Sequence, residues 1–92
     1  MATRLRITGL VQGVGYRAAF AAQAQALQLS GWVRNRLDGS VEATVAGQPQ
    51  AVKRIIAWAE HGPTAAQVRC VAVTEVDDAL ATEGKFHILP SV

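Results

Sequence analysis

The fold this sequence predicts is a two-layer α+β sandwich, with two helices on one face of a mainly antiparallel sheet. Three features predict it. A strand-like run leads through a glycine loop into an alanine-rich helical stretch; two alternating runs meet across Asp38-Gly39, a strong hairpin signal; and a proline-opened helical stretch runs into a long β-branched segment.

Taken in order, Arg4 to Thr8 alternate, with Leu5 and Ile7 on one face and Arg4, Arg6 and Thr8 on the other. Gly9 to Tyr16 is the glycine loop. From Tyr16 to about Leu27 the residues Phe20, Ala24 and Leu27 recur at helical spacing and form the expected buried stripe. Ser30 and Gly31 close that unit. A second strand, Trp32 to Leu37, sets Val33, Asn35 and Leu37 against Trp32, Arg34 and Arg36, and Ser40 to Ala46 resumes the alternation beyond the turn. Pro49 opens a second helix in a first turn where its missing donor costs nothing. Val52, Ile55, Ile56 and Ala59 make its apolar stripe, and His61-Gly62-Pro63 stops it. Gln67 to Val76 reads as a further strand, Glu75, Asp77 and Asp78 with Ala79 to Gly84 as a turn, and Phe86 to Leu89 as a short last strand. The order is β-α-β-β-α-β plus one strand, the ferredoxin-like plan, in one domain covering residues 1–92.

Composition narrows the function. Half of the 92 residues are apolar and only 5% aromatic, so the core is aliphatic and a broad base-stacking surface is not expected. The central strands offer Leu5, Ile7, Val41 and Val45 where an RNA-binding sheet would carry paired aromatics. The net charge is +2 and the nine Lys and Arg are scattered, which suits a small anion better than nucleic acid. No segment approaches the ~20 apolar residues of a membrane span. Cys70 is the one cysteine, so no intrachain disulfide can form. A cytoplasmic, monomeric protein with Cys70 packed as a small hydrophobe is the expectation.

Gly9 to Arg17, G-L-V-Q-G-V-G-Y-R, is the stretch that carries chemistry. Gly13 and Gly15 let the backbone turn sharply into a helix start, whose first N–H groups lack partners within the helix and carry partial positive charge. That makes an anion site of the loop, and Arg17 can close on the same anion with its planar fork. If Val33 faces the helix layer, alternation sends Asn35 to the same face, near Arg17 at the end of its strand. A carboxamide there both donates and accepts, as orienting a water requires.

The motifs V-Q-G-V-G-Y-R at Val11 to Arg17, G-W-V-R-N at Gly31 to Asn35, D-G-S-V-E-A at Asp38 to Ala43 and G-P-T-A-A-Q-V at Gly62 to Val68 together resemble the acylphosphatase family, over nearly the whole chain. The resemblance implies an enzyme that needs no metal and no cofactor and hydrolyses acyl phosphates to a carboxylate and phosphate. It implies that Arg17 and the loop Gln12, Gly13, Val14, Gly15 and Tyr16 bind the phosphoryl group, and that Asn35 positions the attacking water. Tyr16 stands where the family commonly has Phe, and its hydroxyl needs a partner if buried. Gly62-Pro63-Thr64 replaces a frequent second proline.

Other readings weigh less. Gly13, Gly15 and Ala18 also fit G-x-G-x-x-A with Asp38 about twenty residues on, but Asp38 sits in a hairpin where a dinucleotide site wants the end of a parallel strand. His61 reads as a helix C-terminal cation and His87 as a solvent-facing residue; no residues have metal-ligand spacing. Trp32 and Trp58 read as packing anchors, Trp32 close enough to the site strand to line a rim, and Arg34 and Arg36 as a solvated sheet face. The alternative function is a non-catalytic small-anion-binding or regulatory module on the same fold, or an acylphosphatase-like domain of a larger protein.

Overall fold

The computed structural model describes residues 2–77 and 84–92. Its elements are β1 (Ala2–Leu10), α1 (Tyr16–Ala26), β2 (Ser30–Asn35), β3 (Val41–Ala46), α2 (Pro49–Ala59), β4 (Gln67–Val76) and β5 (Phe86–Ile88). The strands form one sheet in the order β4-β1-β3-β2-β5. All pairings are antiparallel except that of β2 with β5. This is the ferredoxin-like arrangement the sequence predicts, with the short last strand added beside β2. The expected turn over Asp78 and Ala79 to Glu83 lies outside the described residues.

Alternation decides which face is core. Leu5 and Ile7 of β1, Val33 of β2 and Val41, Ala43 and Val45 of β3 are fully buried, and Phe20, Ala24, Ile55 and Ala59 from the two helices pack with them in one cluster. Four of the five aromatic residues join it. Trp58 lies 5.4 Å from Tyr16 and 5.8 Å from Phe20, centroid to centroid, and Phe20 lies 5.9 Å from Phe86. Trp58 is thus a packing anchor as expected.

Five expectations need correction. β2 ends at Asn35, and Leu37, set on its inner face by simple alternation, is 90% exposed. The hairpin takes Arg36 as its closing residue, with Arg36 N–H bonded to the Ser40 carbonyl and Gly39 N–H to that of Arg36, so the pleat stops before Leu37. Cys70 is exposed, because its partner in β1 is Thr8, on the face without helices. On that same face Arg34 and Arg36 are not merely solvated: both donate to Oε1 of Glu42, which is 1% exposed, while Arg4 pairs with its Oε2. Trp32 lies on this face too, under the Arg34 guanidinium at 4.8 Å, and lines no rim of the predicted site. Phe86 to Ile88 is one residue shorter than the expected strand, although Leu89 N–H still bonds to the Val33 carbonyl.

Candidate active site

Between β1 and α1 the chain turns through two glycines in the left-handed region, Gly13 at φ 74° and Gly15 at φ 79°. A Cβ at either would meet nothing within 4 Å, so what these positions demand is the backbone angle, and the space above the loop is open. Gly15 caps α1 without any side-chain bond, and no acidic residue stands in the first turn. The unpartnered amides and positive end of the helix dipole therefore face that space uncompensated.

Each neighbour of the loop is held from outside it. The Gln12 side chain turns away: its Nε2 donates to the carbonyls of Arg36 (2.7 Å) and Ser40 (2.8 Å), bracing the loop against the hairpin. Val14 packs on the core. The Tyr16 ring is buried and its hydroxyl donates to the Ala59 carbonyl at 2.7 Å, the partner the sequence required. Burial pushes the Tyr16 phenol well above its ordinary range. Gly62 lies so close to this ring that a Cβ there would sit 2.6 Å from Cε2.

Arg17, partly exposed in the first turn of α1, reaches across to the residue just after β5, where Nη1 donates to the Leu89 carbonyl at 3.4 Å. It has no carboxylate partner among the described residues. Asn35, at the end of β2, is held through its backbone carbonyl, which accepts from Val92 N–H at 3.0 Å. Its side-chain Oδ1 is buried and has no hydrogen-bond partner among the described residues.

These residues share one open cavity of about 330 Å³, lined by Val11, Gln12, Gly13, Gly15, Tyr16, Arg17, Ala18 and Asn35. The parity of β2 thus brings Asn35 to the loop and Arg17, as the sequence anticipates. A larger depression of about 570 Å³, where β1 parts from the hairpin, holds none of the predicted residues. Asp38 lines that depression and is engaged by the Ser40 hydroxyl and amide and by Arg6, contacts that lower its carboxyl pKa below the ordinary value. The Leu89 and Val92 contacts and the Gln12 brace escape sequence reasoning, since they join residues 24 to 72 positions apart. The pairing of glycine loop and hairpin motif is the only local hint of the brace.

A model of the acylphosphatase family matches residues 3–88 of the chain. The chain belongs to the acylphosphatase family. An acylphosphatase of Azoarcus sp. strain BH72 is 57% identical over 88 residues, 95% of this chain and 87% of the relative. The crystal structure of acylphosphatase from Bacillus subtilis superposes with a TM-score of 0.86 at 33% identity, covering 96% of this chain and 97% of that one. Full-length HypF, in its phosphate- and nucleotide-bound form, contains the same fold: TM-score 0.88 and 27% identity over 98% of this chain but 12% of HypF. Family membership makes this chain a hydrolase.

Proposed function

We propose that the chain hydrolyses the carboxyl-phosphate bond of acyl phosphates, with the phosphoryl group held by Arg17 and the amides of Gln12 to Tyr16 and the attacking water oriented by Asn35. The observation that carries this reading is the buried, unpartnered Asn35 Oδ1 in the same cavity as the uncapped helix start and Arg17. A buried acceptor without a partner costs free energy, about 1–3 kcal/mol, which a bound water recovers.

The chemistry asks little more of the protein. The leaving carboxylate has a pKa near ~4, so it departs without a general acid. Phosphoryl transfer then needs positioning and charge stabilisation. Water oxygen bonds to phosphorus in line as the bond from phosphorus to the acyl oxygen breaks, and the acyl oxygen leaves with the electron pair. An amide oxygen is too weak a base to take the water proton, so Asn35 orients, and the proton passes to a phosphoryl oxygen. The cation of Arg17 and the loop amides meet the charge on the equatorial oxygens.

The test is hydrolysis of benzoyl phosphate in the presence of chelator, beside the Arg17→Ala variant. Turnover that survives chelation and falls at least ~10³-fold in the variant supports the reading, in line with the worth of transition-state arginines. A folded parent that turns over none of several acyl phosphates would instead leave an anion-binding module.

A further inference from the structure

We propose that the Gln12 side chain is a positioning residue for hydrolysis: it fixes the loop that holds the phosphoryl group in place relative to Asn35, which orients the water. The inference rests on the function proposed above and gives this side chain a part that function does not assign. Ile7, Val41 and Asn35 form the last row that β1, β3 and β2 share. Beyond it β1 leaves the hairpin, and the open depression of about 570 Å³ is lined by Thr8, Gly9 and Leu10 of β1 and by Asp38, Gly39 and Ser40 of the turn. The anion loop continues from β1, and Asn35 stands just before the turn. Among the described residues no backbone ladder joins these two halves of the site past that row.

Gln12 spans the gap. Of Val11 to Gly15 it alone has a side chain that can hydrogen-bond, and its Nε2 donates to the Arg36 carbonyl at 2.7 Å and the Ser40 carbonyl at 2.8 Å. Each carbonyl already accepts a bond within the hairpin, Arg36 from Gly39 N–H at 3.1 Å and Ser40 from Arg36 N–H at 2.8 Å. Gln12 therefore uses both its amide hydrogens on the second lone pairs of two fixed acceptors. Two such bonds set direction as well as distance, whereas the packing of Val11 and Val14 on the core is non-directional. Arg36 directly follows Asn35, so the strut ends beside the residue that orients water. The other side-chain tie from β1 to the turn, Arg6 to Asp38 at 2.6 Å, is exposed at both ends and holds the turn more weakly. Without the Gln12 amide the loop keeps its own form, since the angles at Gly13 and Gly15 and the start of α1 do not involve that side chain. Phosphate still binds, but its place relative to Asn35 is no longer fixed, and a misplacement of ~1 Å costs on the order of 10²-fold in rate.

The test is steady-state hydrolysis of benzoyl phosphate by the full chain, with inorganic phosphate as competitive inhibitor. It compares the parent, Gln12→Met, Asn35→Ala and the double variant, each checked for folding by circular dichroism. Gln12→Met keeps the side chain's length and removes both donors. Its kcat should fall ~10–100-fold with phosphate inhibition close to that of the parent. In the Asn35→Ala background the same change should cost less than ~3-fold, because the two residues act as a unit. Gln12→Glu, whose carboxylate has no hydrogen for either carbonyl, should be impaired likewise and decides the matter if Gln12→Met does not fold. A folded Gln12 variant at the parent kcat overturns the proposal. So does one that loses phosphate inhibition together with rate, or one whose loss is as large without Asn35 as with it. A parent that hydrolyses no acyl phosphate, or an Asn35→Ala chain at the parent rate, refutes the proposed function itself and this inference with it.

Discussion

Replacing Glu42 with Gln tests whether the far side of the sheet is fastened as the structure indicates. Glu42 joins three strands: Arg34 and Arg36 of the hairpin arm donate to Oε1 at 2.8 and 3.0 Å, and Arg4 of β1 pairs with Oε2. Gln keeps the shape and an acceptor for the first two but turns two charge-assisted bonds into ordinary ones, a loss of about 1 kcal/mol each. Arg4 would face an N–H₂ group; its side chain is 47% exposed and can turn to water, so little is added there. The expected loss is about 2 kcal/mol at pH 7, a fall in Tm of about 8–16 °C for a chain of this size, read by urea and thermal unfolding. Burial raises the Glu42 pKa, but the bonds from Arg34 and Arg36 and the charge of Arg4 outweigh it, and the carboxyl titrates below its ordinary value. Its contribution is therefore complete above the ordinary glutamate pKa of about 4.3 and lost as pH falls through the lower folded value. Parent and variant should converge in stability in acid. A gap under ~0.5 kcal/mol at pH 7, or one that does not change with pH, would refute the reasoning.

Three further outcomes follow from the site. Gly62→Ala should destabilise by about 2–4 kcal/mol, from a left-handed Ala and a Cβ driven into the Tyr16 ring. Gly13→Ala, where space is open, should cost only about 1–2 kcal/mol in stability; equal losses in denaturant unfolding would contradict the difference in packing. Tyr16 is the only tyrosine, so tyrosinate absorbance reports it alone. The folded chain should not ionise near the ordinary pKa of about 10, and its stability should decline as pH rises above that value, whereas an ordinary titration curve without unfolding would show the hydroxyl to be exposed. For Arg17→Ala, isothermal titration with inorganic phosphate should show affinity lost along with rate; unchanged affinity would remove Arg17 from the anion site.

What the sequence disclosed, it disclosed through local rules. Gly13 and Gly15 ahead of an alanine-rich helix mark the loop because few other residues take that backbone. The two-residue period carries Asn35 inward from Val33 so long as the strand continues. Leu37 defeats the same rule, since the hairpin closes at Arg36 and the period ends with it. Cys70 sits in a β-branched run with no polar alternation to declare its face, and only the pairing with Thr8 turns it outward. Glu42 reads as one polar residue of an alternating strand; its burial depends on arginines 6, 8 and 38 positions away in sequence, beyond the reach of any period. The Gln12 brace and the Leu89 contact of Arg17 are hidden for the same reason.

The measurement closest to the central claim is steady-state hydrolysis of benzoyl phosphate by Asn35→Ala, with inorganic phosphate measured as a competitive inhibitor in the same assay. Removing only the group that orients water should lower kcat by ~10²–10⁴ and leave phosphate inhibition close to that of the parent. A folded variant that turns over at the parent rate, or one that loses phosphate inhibition together with rate, would contradict the role assigned to Asn35.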